Sequence, residues 1–97
     1  MTKSLETPSS GPFRKAERVL AQSVDGSVVL LHLDDGRYFA LDDVGARFWE
    51  LLDGRSELPD IARRIASEYA VPADRVERDL LELVNDLADE RLVERHP

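Results

Sequence analysis

The chain of 97 residues contains no cysteine, which excludes a disulfide framework and any thiolate metal site. Its two histidines, His32 and His96, lie far apart, so a zinc site would have to be built mostly from carboxylates. No stretch approaches the roughly 18 apolar residues of a transmembrane helix. The opening MTKSLETPSSGPF lacks the apolar segment of a signal peptide. There is no glycine-rich phosphate loop, no nucleophile elbow, and no histidine set beside a serine in a motif. Basic residues are also scarce. Thirteen Lys and Arg against twenty Asp and Glu leave a net charge of −7, a surface that repels nucleic acid and anionic membrane. These absences predict a cytoplasmic protein with no catalytic residues, no cofactor and no metal.

What is present fits one domain. The run Thr7-Pro8-Ser9-Ser10-Gly11-Pro12 cannot bury a face. Residues 1–14 are therefore expected to form a disordered tail and residues 15–97 the folded domain. Three apolar runs follow, at Val19–Val24, at 28–33 and at 37–41. Asp25-Gly26 joins the first two, a strong hairpin signal. Asp34-Asp35-Gly36 joins the second and third. Two short turns between three runs predict an antiparallel meander with the last strand at an edge.

At Asp42 the apolar period changes from two to helical. Asp42 or Asp43 can cap a helix carrying Val44, Phe48, Leu51 and Leu52, with Trp49 as a core anchor and Gly54 where a C-cap glycine belongs. A second helix is expected over Leu58–Tyr69, with Pro59 in its first turn. A third is expected over residues 73–90, striped by Val76, Leu80, Leu83, Val84 and Leu87. Leu92 or Val93 would pack the closing RLVERHP onto the core. The order βββααα predicts an α+β domain of segregated elements.

Two binding functions compete. Three helices beside a small sheet are also the parts of a winged helix-turn-helix. Its recognition helix would be residues 73–90, which hold seven acids against Arg75 and Arg78. Such a helix is repelled by phosphate, so DNA binding is disfavoured. The strand at 37–41 is different. It has no proline and one charge, Arg37, where edge strands are usually blunted by Lys, Pro or a bulge. One face can bury Phe39 and Leu41 while the hydrogen-bonding edge takes up a guest strand. The lone His32 is expected to be a partly exposed polar residue.

The segments YFALDDVGARFWELLDG, IARRIASEYAV and VERDLLELVNDLADERLV resemble the PqqD-like family of peptide chaperones, the recognition elements for ribosomally made and modified peptides (RiPPs). The matching positions are Leu41-Asp42, Trp49, Leu51-Leu52-Asp53-Gly54, Tyr69, Val71, Val76, Asp79 and Leu80. Asp42 stands where Asn or Ser is common, and all three cap helices. The chain looks most like the stand-alone leader-binding proteins of lasso peptide biosynthesis. The resemblance implies a winged helix-turn-helix-like fold, a precursor leader peptide docked on the third strand beside the third helix, a separate cysteine-type leader peptidase and a lasso cyclase as partners. It equally allows service to another modifying enzyme, such as a radical-SAM enzyme. Within that frame the groove is expected to have an apolar floor of Leu80 and Leu83 beside Val76. Its rim is expected to be Asp79 and Asp86, with Arg37, Tyr38, Phe39, Ala40 and Leu41 on the strand side. An open strand edge also allows an edge-to-edge homodimer.

Overall fold

The computed structural model describes residues 12–95. The elements are β1 (Phe13–Lys15), β2 (Val19–Val24), β3 (Ser27–His32), β4 (Tyr38–Leu41), α1 (Asp43–Leu51), α2 (Leu58–Tyr69), α3 (Ala73–Asp89) and β5 (Val93–Arg95). The expected meander is present as an antiparallel sheet in the order β2-β3-β4, followed by the three helices. Asp25 and Gly26 both have positive φ, +49° and +84°. That is the two-residue turn whose twist matches a right-handed hairpin. Gly36, at φ +73°, closes the second turn and donates its N–H to the His32 carbonyl at 2.9 Å.

A second, unexpected sheet pairs β1 with β5, with Phe13 opposite Arg95 and Lys15 opposite Val93. It buries Phe13, Leu92 and Val93 in the core. The tail expected over residues 1–14 lies outside the described residues as far as 11, and the strand begins at Phe13, inside that span.

Asp42 is the cap of α1. Its Oδ1 accepts the Gly45 N–H at 2.8 Å, satisfying one of the orphan donors of the first turn. A side chain at Gly45 would meet Leu41 Cβ at 3.2 Å, so glycine lets α1 start hard against the end of β4. The helix ends at Leu51 with Leu52 as its cap. Gly54, expected as the C-cap glycine, lies beyond that point in a turn held by Asp53 Oδ1, which accepts the Arg55 and Ser56 N–H groups at 2.9 and 2.8 Å. Pro59 sits in the first turn of α2, and Ala70 ends that helix in the left-handed conformation at φ +56°.

The core gathers β3, β4, the three helices and the β1–β5 ribbon around Phe48, Leu30, Leu58, Ile65, Leu80, Leu87 and Leu92, all fully buried. Trp49 is buried, with Lys15 Nζ 5.3 Å from its ring centroid. His32 is 5% exposed, more buried than the sequence suggests. Its Nδ1 accepts the Asp34 N–H at 3.2 Å and so helps shape the turn that leads into β4. Among the described residues no helix is long and apolar enough to cross a membrane.

Candidate functional site: an open strand edge beside a hollow

Among the described residues the sheet has two free edges, β2 and β4, and hydrogen-bond parity says what each offers. The His32 N–H donates to the Arg37 carbonyl at 2.9 Å. Antiparallel pairs alternate between bonded and non-bonded, and Leu30 faces Phe39 while Val28 faces Leu41. Phe39 and Leu41 therefore spend their backbone groups on β3, as does the Arg37 carbonyl, while the Arg37 N–H donates to Asp35 Oδ1 at 3.3 Å. Tyr38 and Ala40 direct one N–H and one carbonyl each away from the sheet, four groups in all. On β2 the Leu33 N–H donates to the Arg18 carbonyl, so Val19, Ala21 and Ser23 point outward there.

Side-chain cover separates the two edges. On β2, Ala21 and Ser23 are exposed, and no helix lies over them. On β4, Phe39 packs on the core and Leu41 is buried, directly beside α1. β4 packs on β3 and α1 but little on α3. A hollow of about 340 Å³ opens beside the end of β4, lined by Asp42, Val44 and Gly45 of the α1 start and by Asp79, Leu80, Glu82 and Leu83 of α3. A second hollow of about 280 Å³ shares Val44 and Asp79 with it and adds Ile65, Tyr69, Val71, Arg75 and Val76. A guest strand on β4 would lay its inward side chains towards these hollows, whereas one on β2 would face water.

The expected groove residues are thus partly brought together. Leu83 is half-buried at the margin of the core, and Asp79 is exposed beside it. Val76 and Leu80 are core residues that line the hollows while remaining buried. Asp86 is exposed and lines neither hollow, and the acidic rim is made by Asp79 and Glu82 with Asp42. Arg37 precedes β4 rather than belonging to it, and its Nη1 donates to Glu90 Oε1 at 2.8 Å. That ion pair ties the start of β4 to the C-terminal end of α3. Tyr38 stands on the opposite face of the sheet from Phe39, grouped with Leu20 and Leu31 instead of with α3. Val44, Tyr69 and Val71 also line the hollows, although the groove expected from the sequence does not include them. Tyr69 and Val71 flank the Ala70 helix end and are exposed, and an exposed apolar pair at a helix break is the signal that marks them.

No set of three His, Cys, Asp or Glu among the described residues could hold a metal ion. Nor does the site gather a nucleophile and a base. It offers backbone donors and acceptors, an apolar floor and carboxylates at the rim, which is chemistry for holding a peptide.

The model of the family described as coenzyme PQQ synthesis protein D (PqqD) matches residues 27–93. The chain belongs to the PqqD family. Three solved structures are similar to this PqqD-family chain. One is TbiB1 in complex with the TbiA(beta) leader peptide, 41% identical, covering 84% of this chain and 94% of that one, TM-score 0.75. Another is a lasso peptide synthetase B1 complexed with the leader peptide, 34% identical, covering 84% and 96%, TM-score 0.73. The third is the PqqD truncation of Methylobacterium extorquens PqqCD, described as a functional, stand-alone RiPP recognition element, 28% identical, covering 91% and 98%, TM-score 0.75. No curated protein sequence matches significantly.

Proposed function

We propose that this chain binds the leader peptide of a ribosomally made precursor, of the lasso peptide class, as an added strand on β4 and presents it to modifying enzymes. The observation that carries the reading is the pairing of an unblunted β4 edge with the hollow between the α1 start and α3, in a chain 41% identical to a protein solved with a leader peptide. The domain that does this is taken as residues 15–97 together with Phe13 and Arg14 of β1. Its helices α2 and α3 with the adjoining sheet are read as winged helix-turn-helix-like. The protein is cytoplasmic and has no turnover of its own. A separate cysteine-type leader peptidase and a lasso cyclase act on what it holds.

Main-chain bonds to Tyr38 and Ala40 supply affinity, each worth net about 0.5–1.5 kcal/mol. They read no sequence. Selectivity comes from alternate guest side chains entering the hollows. The apolar floor of Leu80 and Leu83 takes an aliphatic or aromatic side chain, and Asp79 and Glu82 favour a Lys or Arg nearby. A fluorescent leader peptide from the same pathway, titrated by anisotropy, should bind at micromolar concentration or below. Absence of binding at tens of micromolar overturns the reading.

The likeness to the M. extorquens PqqD truncation supports a second reading, service to a different peptide-modifying enzyme such as a radical-SAM enzyme. The neighbouring genes separate the two: a small peptidase with a synthetase-like cyclase, or a radical-SAM enzyme.

A further inference from the structure

His32 is the one buried polar side chain among the described residues, and it lines neither hollow beside β4. It closes the turn between β3 and β4 with its backbone and its ring together. Its N–H donates to the Arg37 carbonyl and its carbonyl accepts the Gly36 N–H, both at 2.9 Å. Its ring Nδ1 accepts the Asp34 N–H at 3.2 Å. An imidazole nitrogen accepts only while it carries no proton, so this contact requires the neutral ring with its hydrogen on Nε2. Asp35 fits the same state. Its Oδ1 stands 3.7 Å from Nδ1 and accepts the Arg37 N–H at 3.3 Å instead.

We propose that His32 is a positioning residue for the peptide-binding edge: its neutral ring holds the β3–β4 turn in the shape that presents Tyr38 and Ala40, and a proton on Nδ1 disorganises that edge. The inference rests on the leader-binding reading above. A proton on Nδ1 sets one N–H against another and breaks the bond from Asp34. It also offers Asp35 Oδ1 a charged donor after a small movement, and a charge-assisted bond is stronger than one to a neutral amide. Asp35 then leaves the Arg37 N–H. Arg37 comes directly before Tyr38, and its guanidinium ties this end of β4 to Glu90. A change at His32 therefore reaches the first outward residue of β4 through one carboxylate and one peptide unit.

The charged groups around the ring come from every side. Asp34 and Asp35 belong to the turn, Glu17 and Arg18 precede β2, Arg14 lies on β1, Arg91 follows α3 and Glu94 lies on β5. Arg14 is paired with Glu94 and Arg18 with Asp34. These side chains and His32 line a hollow of about 440 Å³, which gives protons a path to the ring. A peptide that binds only the neutral form loses affinity as pH falls, by up to about tenfold per pH unit once the ring titrates.

The test uses the full chain and a labelled leader peptide from the same pathway, with the anisotropy Kd followed from about pH 8 to about pH 5.5, above the range in which carboxyls protonate. Wild-type binding should weaken at least about fivefold over that range. His32→Asn puts a side-chain carbonyl where Nδ1 stood and does not titrate. It should bind within about threefold of wild type at the upper pH and hold that affinity at the lower one. His32→Gln carries its amide to the Nε2 position instead, and should bind at least about tenfold more weakly with an unchanged circular dichroism spectrum. A wild-type Kd that responds to pH no more than that of His32→Asn overturns the proposal, as does His32→Gln binding as tightly as His32→Asn. Nuclear magnetic resonance of the leader-free wild type examines the same step without peptide or substitution. The Asp34, Arg37, Tyr38 and Ala40 amide signals should move together with the His32 ring signal. A ring that does not titrate in this range, or Tyr38 and Ala40 amides indifferent to its titration, overturns the proposal. If leader fails to bind the wild type at any pH, the leader-binding reading falls by itself, and coupled amide signals would still sustain His32 as the residue that positions the edge.

Discussion

Ala40→Pro isolates the role of the β4 edge. Ala40 sits opposite Val29 at a non-bonded position, so its N–H is not used by β3 and points to the open side. Proline is tolerated on an edge strand when the missing N–H faces solvent, and Phe39 before it is already extended. The fold should therefore survive with a melting temperature within a few degrees of wild type. Binding should not survive. One of the four outward groups is lost, at about 1 kcal/mol, and the guest carbonyl that it met is left unsatisfied at about 1–3 kcal/mol. The ring also holds the guest backbone away. A loss of about 2–4 kcal/mol corresponds to a Kd about 30- to 900-fold weaker, read by anisotropy with labelled leader. Ala21→Pro, at the matching outward position of β2, should leave the Kd unchanged. If Ala40→Pro binds normally and Ala21→Pro does not, the peptide uses the other edge, and the assignment of the groove is wrong.

Leu83→Arg should weaken leader binding more than about tenfold with an unchanged circular dichroism spectrum, because Leu83 is half-buried at the groove margin and a charge there meets apolar guest side chains. Equal affinity would place the groove elsewhere. Ala70→Gly relieves a left-handed alanine at the end of α2 and should stabilise by about 1 kcal/mol, raising the melting temperature by about 4–8 °C. A lower melting temperature would refute it. Acid should destabilise the fold in a defined window. The Arg47 guanidinium holds the Glu68 carboxyl below its ordinary value, the Ser56 and Arg55 N–H groups do the same for Asp53, and Arg18 for Asp34. Carboxyls depressed on folding contribute stability above their unfolded values, about pH 4, and lose it as pH falls through the lower native values. Calorimetric melts should stay level from pH 7 to 5 and drop below pH 4.

Local rules carried most of the fold. Asp25-Gly26, the Asp42 cap and Pro59 act through their own neighbours, so the order βββααα was legible from spacing alone. The β1–β5 ribbon was not, because it joins three-residue strands some 80 positions apart, and neither has length enough to show a period. Phe13 followed a polar run that resembles a tail, and only its partner across the ribbon makes it core. Gly54 satisfies the local description of a C-cap, yet α1 stops three residues earlier and Asp53 builds the turn. Of the residues that line the hollow, Leu83 and Asp79 stand out in the α3 sequence pattern. Asp86 lies outside the hollow beside β4, which extends only as far as Leu83 on that helix. Tyr38 was within reach of the sequence. With Phe39 and Leu41 inward, two-residue alternation alone puts it on the outer face.

The β1–β5 ribbon has a consequence for architecture. It places the first and last described elements of the fold antiparallel, with Phe13 across from Arg95. A unit whose entrance and exit are neighbours can be spliced into a surface loop of another protein without stretching its host. The same geometry lets it be fused at either end without covering the β4 edge, which lies in the other sheet. Evolution, or an engineer, could carry this peptide reader from one enzyme to another as a cassette.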